Sequence, residues 1–212
     1  MLRFSINIGI LERPLVQGLV FGLLAGNLEL ALYVSVIFEL FWLDLIPAGT
    51  YIPPNTAASN LSCLTLLHAF GFTTPAEAVF PILLCLPLGW IGARLEDFLR
   101  ARRNAAYDRL QAWARGDAVR PVRLGRTILE GMIQNWVAHF LFFFAAVLAL
   151  ISLVGLLRAW NLLQPPQGLF SWGHLWVAAS FGGILSLRSL RAYGSMAAGV
   201  VAVLLASLFY VQ

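Results

Sequence analysis

The 212-residue chain contains no lysine and few charged side chains of either sign. Charged residues make up 11% of it and hydrophobic residues 60%, whereas soluble domains carry about 25% charged residues. A large soluble domain is therefore not expected. Cysteine is also scarce: Cys63 and Cys85 both lie in apolar stretches, which argues against a disulfide framework and predicts buried, reduced thiols. No metal-type spacing accompanies them, so we expect neither a metal site nor another cofactor.

This composition predicts an all-α, polytopic integral membrane helix bundle. A crossing helix needs about 20 apolar residues, so the chain has room for about five to seven crossings in a single membrane domain spanning residues 1–212. The apolar stretch before Glu12, Arg13 and Pro14 is too short for a cleavable signal peptide. We expect residues 1–13 to be retained and to lie at the membrane interface.

The positive charges are concentrated in one segment, which we take as residues 94–126. Nine of the fourteen arginines lie there, against four carboxylates: Arg94, Arg100, Arg102, Arg103, Arg109, Arg115, Arg120, Arg123 and Arg126. Basic loops stay on the cytoplasmic side of a membrane, so the segment is predicted to be cytoplasmic, with an amphipathic helix over 94–116. Embedded helices flank it, and nucleic-acid binding is not expected. The segment divides the domain into residues 1–93, 94–126 and 127–212.

Glycine and proline predict broken or re-entrant helices in the first part. Gly18, Gly22 and Gly26 form a GxxxGxxxG face that allows close helix packing, and an interruption is expected at Gly26–Asn27. The prolines and glycine of 45–55 must end the following helix. Among the remaining apolar segments, 56–70 is expected to be a short re-entrant or tilted piece, and 75–93 a crossing interrupted by Pro81 and Pro87. Residues 127–157 are expected to form a long crossing, and 172–187 with 194–210 a final hairpin.

Three carboxylates lie in or beside the first apolar run. Glu29 and Glu39 are inside it and Asp44 follows closely. An ionised group in hydrocarbon costs several kcal/mol, so such residues usually face a cavity or a partner. An acid in an apolar helix, followed by a segment broken by proline, is typical of transporter substrate sites. Helix–helix hydrogen bonding remains an alternative for Glu39, as does a structural contact for Glu29.

A family resemblance is carried by a series of short motifs. They are Arg13-Pro14-Leu15, Gly22-x3-Gly26-Asn27, Phe38-Glu39-Leu40, Pro47-x-Gly49 and Pro53-Pro54-Asn55, followed by Pro87-Leu88 and the charged helix with Asp108 and Gly116-Asp117. Together they resemble the IIC component of the mannose/fructose/sorbose-family sugar phosphotransferase system. The resemblance covers residues 13–157 and is looser beyond them.

The resemblance implies a sugar-translocating subunit in the bacterial cytoplasmic (inner) membrane. It would assemble with a second membrane subunit, IID, into a multi-subunit oligomer. A phosphocarrier chain of IIA and IIB would phosphorylate the incoming hexose-type sugar at the cytoplasmic face. The chemistry then belongs to a soluble partner, so no catalytic or phosphoryl-carrying residue is expected in this chain. Its histidines (His68, His139 and His174) are interpreted as structural.

Four residues are the candidates for sugar binding: Glu39, Asn55, Asp44 and Trp42. A sugar presents hydroxyls and a weakly apolar ring face, so its site needs carboxylates or amides together with an aromatic ring. Glu39 is embedded in the motif beside Trp42, and Asn55 follows two helix-breaking prolines that free backbone carbonyls. For Asp44 and Asn55 a cap or loop role is the alternative. Glu130 and Gln134 form a second polar stripe, interpreted as a partner contact or part of the sugar path.

Departures from the family pattern keep a second interpretation open. Family members typically have a hydrophobic helix before the Arg-Pro-Leu motif, an Asp where this chain has Asn55, and a small residue where it has Asp44. The chain could therefore be a non-transporting, degenerate IIC-like scaffold that assembles with IID or anchors a phosphocarrier. An unrelated small transporter or channel is a third interpretation.

Overall fold

The computed structural model describes residues 9–43, 52–115, 124–163, 171–186 and 194. In these ranges the chain forms a short 3-10 turn and α-helices, with no strand: Gly9–Glu12, α1 Pro14–Ala25, α2 Leu28–Phe41, α3 Thr56–Phe70, α4 Pro75–Ala114, α5 Leu124–Ala159 and α6 Trp172–Ser186. The predicted all-α class is confirmed.

α1 and α2 form a tight antiparallel hairpin. Pro14 opens α1, where its missing N–H costs nothing, and Gly26 ends it in the left-handed conformation at φ 73°. Asn27 then caps α2 by accepting a hydrogen bond from the Leu30 N–H at 3.3 Å. The expected interruption at Gly26–Asn27 is therefore present. The helices are about 18 and 21 Å long, shorter than the hydrocarbon core of about 30 Å.

Close approach of α1 and α2 depends on two glycines of the GxxxGxxxG face. A Cβ at Gly18 would overlap the Ser35 hydroxyl and lie 2.9 Å from the Ala31 carbonyl oxygen. A Cβ at Gly22 would lie 2.8 Å from Leu28 Cα. Real Cβ atoms do not approach neighbours this closely, so the hairpin requires small residues on α1.

α4 differs from the expected pair of segments. It is a single helix of 40 residues that runs through Pro81 and Pro87 and joins the apolar stretch to the arginine-rich one without a break. Pro81 is fully buried, and membrane helices tolerate proline where neighbouring helices surround it. Between Gly92 and Ala114 the sequence contains no helix breaker, so the helix continues. Its length of about 60 Å is twice the hydrocarbon thickness.

The described helices include two that are long and apolar enough to cross a bilayer, over Pro75–Asn104 and Ile128–Ala159. α5 leaves much of its apolar surface uncovered, including a ladder of stacked rings from Trp136 through Phe140 to Phe144. These three side chains are between 54% and 58% exposed. Outward apolar surface of this extent suits a lipid or protein surrounding better than water.

The core lies where α2, α3 and α4 meet α5 and α6. Its large, fully buried side chains include Phe38, Leu64, Leu66, Val34 and Val154. Cys63 and Cys85 are buried and reduced, as the sequence predicts. α3 is central to the packing, since it contacts α1, α2, α4 and α5. Its N-terminal end therefore lies among several helix ends, which is where the candidate site lies.

Candidate functional site

Three of the four candidate residues lie at one end of the bundle. There α1 begins, α2 ends, α3 begins, and α4 passes from its apolar to its arginine-rich part. Glu39, Trp42 and Asn55 belong to these helix ends. Asp44, the fourth candidate, lies outside the described residues.

Glu39 is bound to the beginning of α1. One carboxylate oxygen, Oε1, accepts a hydrogen bond from Arg13 Nη1 at 2.9 Å, and the other accepts one from the Leu15 N–H at 3.4 Å. The first-turn N–H groups of a helix lack partners within the helix, and its positive end favours a carboxylate. The Glu39 side chain is 14% exposed, whereas that of Arg13 is 63% exposed. Glu39 thus makes the helix–helix contact that was the alternative to sugar binding.

Asn55 is buried and forms the cap of α3. Its side-chain oxygen accepts from the Ala58 N–H at 3.1 Å, and its own N–H donates to the Gly89 carbonyl of α4 at 2.8 Å. A Cβ at Gly92 would lie 2.7 Å from Asn55 Cβ. Gly92 therefore lets α4 pack directly on the cap of α3. An asparagine after two prolines predicts such a cap from sequence alone.

Trp42 lies in an aromatic cluster at the end of α2. Its ring stacks on Phe38 at a centroid distance of 5.7 Å and meets Phe41 and Trp90 edge to face at 5.3 and 6.0 Å. The residue is 6% exposed, yet its indole Nε1 has no hydrogen-bond partner among the described residues. Buried donors are ordinarily satisfied, and one without a protein partner is available to a ligand or water.

Ser59 is a further candidate site residue that sequence reasoning missed. It lies one turn after Asn55 on α3, is fully buried, and its hydroxyl has no partner in the described part of the chain. A Cβ at Gly89 would lie 3.0 Å from Trp42 Cζ2 and 3.2 Å from Ser59 Oγ, so both side chains line the same glycine. A serine among alanines gives no sequence signal of its own. The signal that could have identified Ser59 is its i, i+4 spacing from the candidate Asn55, which places both residues on the same side of a helix.

A polar network behind the site was also missed. Asn60 Nδ2 donates to the Pro14 carbonyl at 3.0 Å and to Gln17 Oε1 at 3.3 Å, while its oxygen accepts from the Ser35 hydroxyl at 3.1 Å. All three side chains are buried. The network ties α1, α2 and α3 together, and its satisfied bonds fix the end of the hairpin beside the site.

An open groove of about 800 Å³ adjoins the aromatic cluster along α4. Trp90 reaches both, since its ring contacts Trp42 and also lines the groove. The groove is lined by Ile52, Trp90, Ala93, Arg94, Asp97, Phe98 and Ala101. Aromatic faces beside an arginine and an aspartate can hold a polar molecule with an apolar ring face.

Comparison with known proteins decides the family. The chain matches the sequence model described as the sorbose-specific IIC component of the phosphotransferase system over residues 2–208. The chain belongs to this family. No curated protein and no solved structure matches it. The match extends past residue 158, where the motifs alone gave only a loose resemblance.

Family membership makes this IIC subunit a membrane component of a sugar phosphotransferase system of the mannose/fructose/sorbose family. IIC components act in sugar transport together with other components of that system, IIB and IID in this family. The described residues contain no group of three metal-binding side chains. Among the histidines, His174 bonds Ser171 and His68 meets the Phe21 ring edge at 6.2 Å.

The second polar stripe is not a buried path. Glu130 is exposed and accepts from Arg126 at 2.7 Å, one turn away on α5. Glu29 likewise bonds within its own helix, accepting from the Tyr33 hydroxyl at 2.7 Å. Neither residue lies among the groups around Gly89.

Proposed function

We propose that the chain is the sugar-translocating IIC subunit, which moves a hexose-type sugar inward for phosphorylation by a cytoplasmic IIB partner. The observation that carries the proposal is a pair of buried polar atoms that have no partner among the described residues, Trp42 Nε1 and Ser59 Oγ, beside the same glycine of α4. A sugar hydroxyl could accept from the indole and exchange a hydrogen bond with the serine. The ring cluster around Trp42 supplies apolar surface for the sugar ring face.

We propose smaller contributions to the site from the other candidate residues. Asn55 would contribute from the beginning of α3 and Glu39 from the end of α2, and Asp44 remains a proposed contributor. The hairpin of α1 and α2 is shorter than a bilayer, so we propose that it is re-entrant and brings these ends to one membrane side. Because α4 leaves the site toward Arg94 and the arginine-rich segment, that side would be cytoplasmic.

The groove along α4 would then be the release route. A sugar that leaves Trp42 meets Trp90, which lines the groove, and continues toward Arg94. Arg94 would favour the negatively charged, phosphorylated product at this end. IID would complete the membrane assembly as a partner in a multi-subunit oligomer in the bacterial inner membrane.

Trp42→Phe tests the proposal directly. It removes the indole N–H but keeps an aromatic ring, and no described protein hydrogen bond is lost. We expect the sugar-free protein to keep its stability within about 1 kcal/mol and sugar affinity to fall about fivefold, the effect of one lost hydrogen bond of about 1 kcal/mol. Uptake and phosphorylation of a panel of labelled hexoses, in cells with IID and IIB, provide the measurement.

Ser59→Ala should lower the affinity for the same sugars and therefore their uptake. Ser152→Ala is the matched control and should leave uptake unchanged. Ser152 lies on α5, and its hydroxyl already bonds the Leu148 carbonyl at 2.9 Å. Sugar uptake that is unchanged by both Trp42→Phe and Ser59→Ala would refute the site. Phosphorylated sugar accumulating only when the chain is present would still support transport and would separate that question from the site.

The second candidate, a non-transporting scaffold, is favoured by a specific observation. Glu39 and Asn55 are both engaged in contacts that build the bundle. If the chain is stably inserted and bound to IID but no sugar of the panel accumulates, the scaffold is the better interpretation.

A further inference from the structure

The groove along α4 lies where this helix leaves the apolar layer. Its volume of about 800 Å³ is within the range of pockets that hold small molecules. Trp90 and Phe98, which line it, are 49% and 55% exposed, so the groove opens away from the core of the bundle. If the apolar layer begins at Pro75, a hydrocarbon thickness of about 30 Å ends about 20 residues later, within the groove. The groove is therefore at the level of the lipid headgroups on the side of the arginine-rich segment.

Arg94 and Asp97 bring opposite charges into this groove without pairing. They are three residues apart on α4, so both project from the same side of the helix. Both are exposed, and neither side chain makes an ion pair or a hydrogen bond with another described residue. Glu96 differs, because it is buried and bonds Arg100 and Arg103. The groove thus offers a guanidinium and a carboxylate, each without a partner in the described chain, and together they carry no net charge.

We propose that the groove binds one zwitterionic phospholipid whose headgroup ends in a primary ammonium group. The Arg94 guanidinium would pair with the phosphate, and the Asp97 carboxylate would accept a hydrogen bond from the ammonium. Two carbons join the phosphate to the ammonium in such a headgroup. Its two charges are therefore separated by a distance comparable with that between side chains one helical turn apart.

The same face of α4 provides an apolar surface for an acyl chain. Leu83 is exposed and lies seven residues before Trp90, so these two side chains share one side of the helix. Leu83 is nearer to the middle of the apolar layer, whereas Trp90 is near its boundary, where tryptophan is common in membrane proteins. A lipid that lies along Leu83, Trp90 and Arg94 would have its chain and its headgroup at the depths that each has in a bilayer.

The two charges favour this class of lipid over other phosphate compounds. An anionic lipid would satisfy Arg94 but would bring its net negative charge to Asp97, and sites for anionic lipids are clusters of several basic residues. A quaternary ammonium has no N–H to donate to Asp97. A phosphorylated sugar offers a phosphate but no cation. The proposal is independent of sugar transport, since a product that leaves through the groove would displace the lipid.

Native mass spectrometry of the full chain, purified with IID, tests the proposal. The probes are phosphatidylethanolamine, phosphatidylcholine and phosphatidylglycerol with the same acyl chains, added in equal amounts to the complex in detergent. We expect one phosphatidylethanolamine to be bound, with an affinity about tenfold above that of the other two lipids, the effect of one hydrogen bond between charged groups. Arg94→Gln and Asp97→Asn should each lower this affinity about tenfold, and Asp97→Asn should remove the preference over phosphatidylcholine.

Arg115→Gln and Asp108→Asn are the matched controls. Both residues are exposed and lie beyond the groove, toward the end of α4, so these variants should keep the affinity and the preference of the wild type. Equal binding of the three lipids would overturn the proposal, as would equal losses in the groove variants and the controls. Binding to the chain alone but not to its complex with IID would also overturn it, because a subunit would then cover the groove. Sugar uptake is measured separately, and its absence from a protein that keeps the lipid preference counts only against transport.

Discussion

Arg13 Nη1 lies 2.9 Å from Glu39 Oε1, and this pair joins the beginning of α1 to the end of α2. Both residues belong to motifs that carry the family resemblance. The pair closes the open end of the hairpin, whereas Gly26 and Asn27 make the turn at the other end. Glu39 therefore has a structural role, whether or not it also contacts sugar.

Comparison of Glu39→Gln with Arg13→Gln separates these two roles. Both variants remove the ion pair, but only Arg13→Gln leaves the carboxylate for a sugar. Because Arg13 is mostly exposed, we expect loss of the pair to cost about 1 kcal/mol or less. Sugar uptake should fall about tenfold in Glu39→Gln, the loss of a hydrogen bond to a charged group, and much less in Arg13→Gln, at equal membrane abundance. Equal falls in uptake would show that Glu39 acts only through Arg13.

Gly18→Ala should destabilise the hairpin. The added Cβ overlaps the Ser35 hydroxyl, which bonds Asn60, so either the helices separate or the polar network breaks. Overpacking of this kind costs about 1–3 kcal/mol. Gly131→Ala is the control, because a Cβ there meets nothing within 4 Å and alanine favours a helix. Thermal unfolding in detergent should show a lower midpoint for Gly18→Ala only; a midpoint as high as that of Gly131→Ala would contradict the packing.

Substitutions at Asn55 test two things together: the cap of α3, and the change from the Asp that many family members have at this position. Asn55→Asp keeps a side-chain oxygen for the Ala58 N–H, whereas Asn55→Ala loses it. We expect Asn55→Ala to lower the free energy of unfolding by about 1 kcal/mol and Asn55→Asp to change it little. Denaturant unfolding measures this difference. Equal loss in the two variants would show that the side-chain cap does not stabilise α3.

Much of the helical layout was predictable because apolar runs and breakers are local signals. Thr56–Phe70 matches the expected 56–70, and the turn at Gly26–Asn27 follows from residues that favour a helix end and a helix cap. The continuity of α4 was not predictable, since Pro81 and Pro87 are helix breakers by local rules. Pro81 is fully buried among neighbouring helices, a setting in which membrane helices tolerate proline, whereas Pro87 is exposed.

The site was predictable only in part, for a related reason. Acids and aromatic residues in an apolar helix stand out, so Glu39 and Trp42 could be named. Ser59 could not, because its place beside Trp42 depends on how α2, α3 and α4 pack together over a long sequence separation. Residue type alone does not show that a buried hydroxyl lacks a partner.

Charge reversal at two neighbouring arginines distinguishes a buried contact from an exposed one. Arg103 bonds Glu96 in the interior, whereas Arg102 is exposed and lies over the Phe98 ring at 4.9 Å. Arg103→Glu places a carboxylate against Glu96, and we expect it to cost about 2–4 kcal/mol, less than for a fully buried pair because a third of the side chain is exposed. Arg102→Glu should cost less than about 1 kcal/mol. The membrane abundance and the thermal midpoint of the two variants are the measurements. Equal decreases in Arg103→Glu and Arg102→Glu would mean that the net positive charge of the segment, rather than the contact with Glu96, determines the effect of charge reversal.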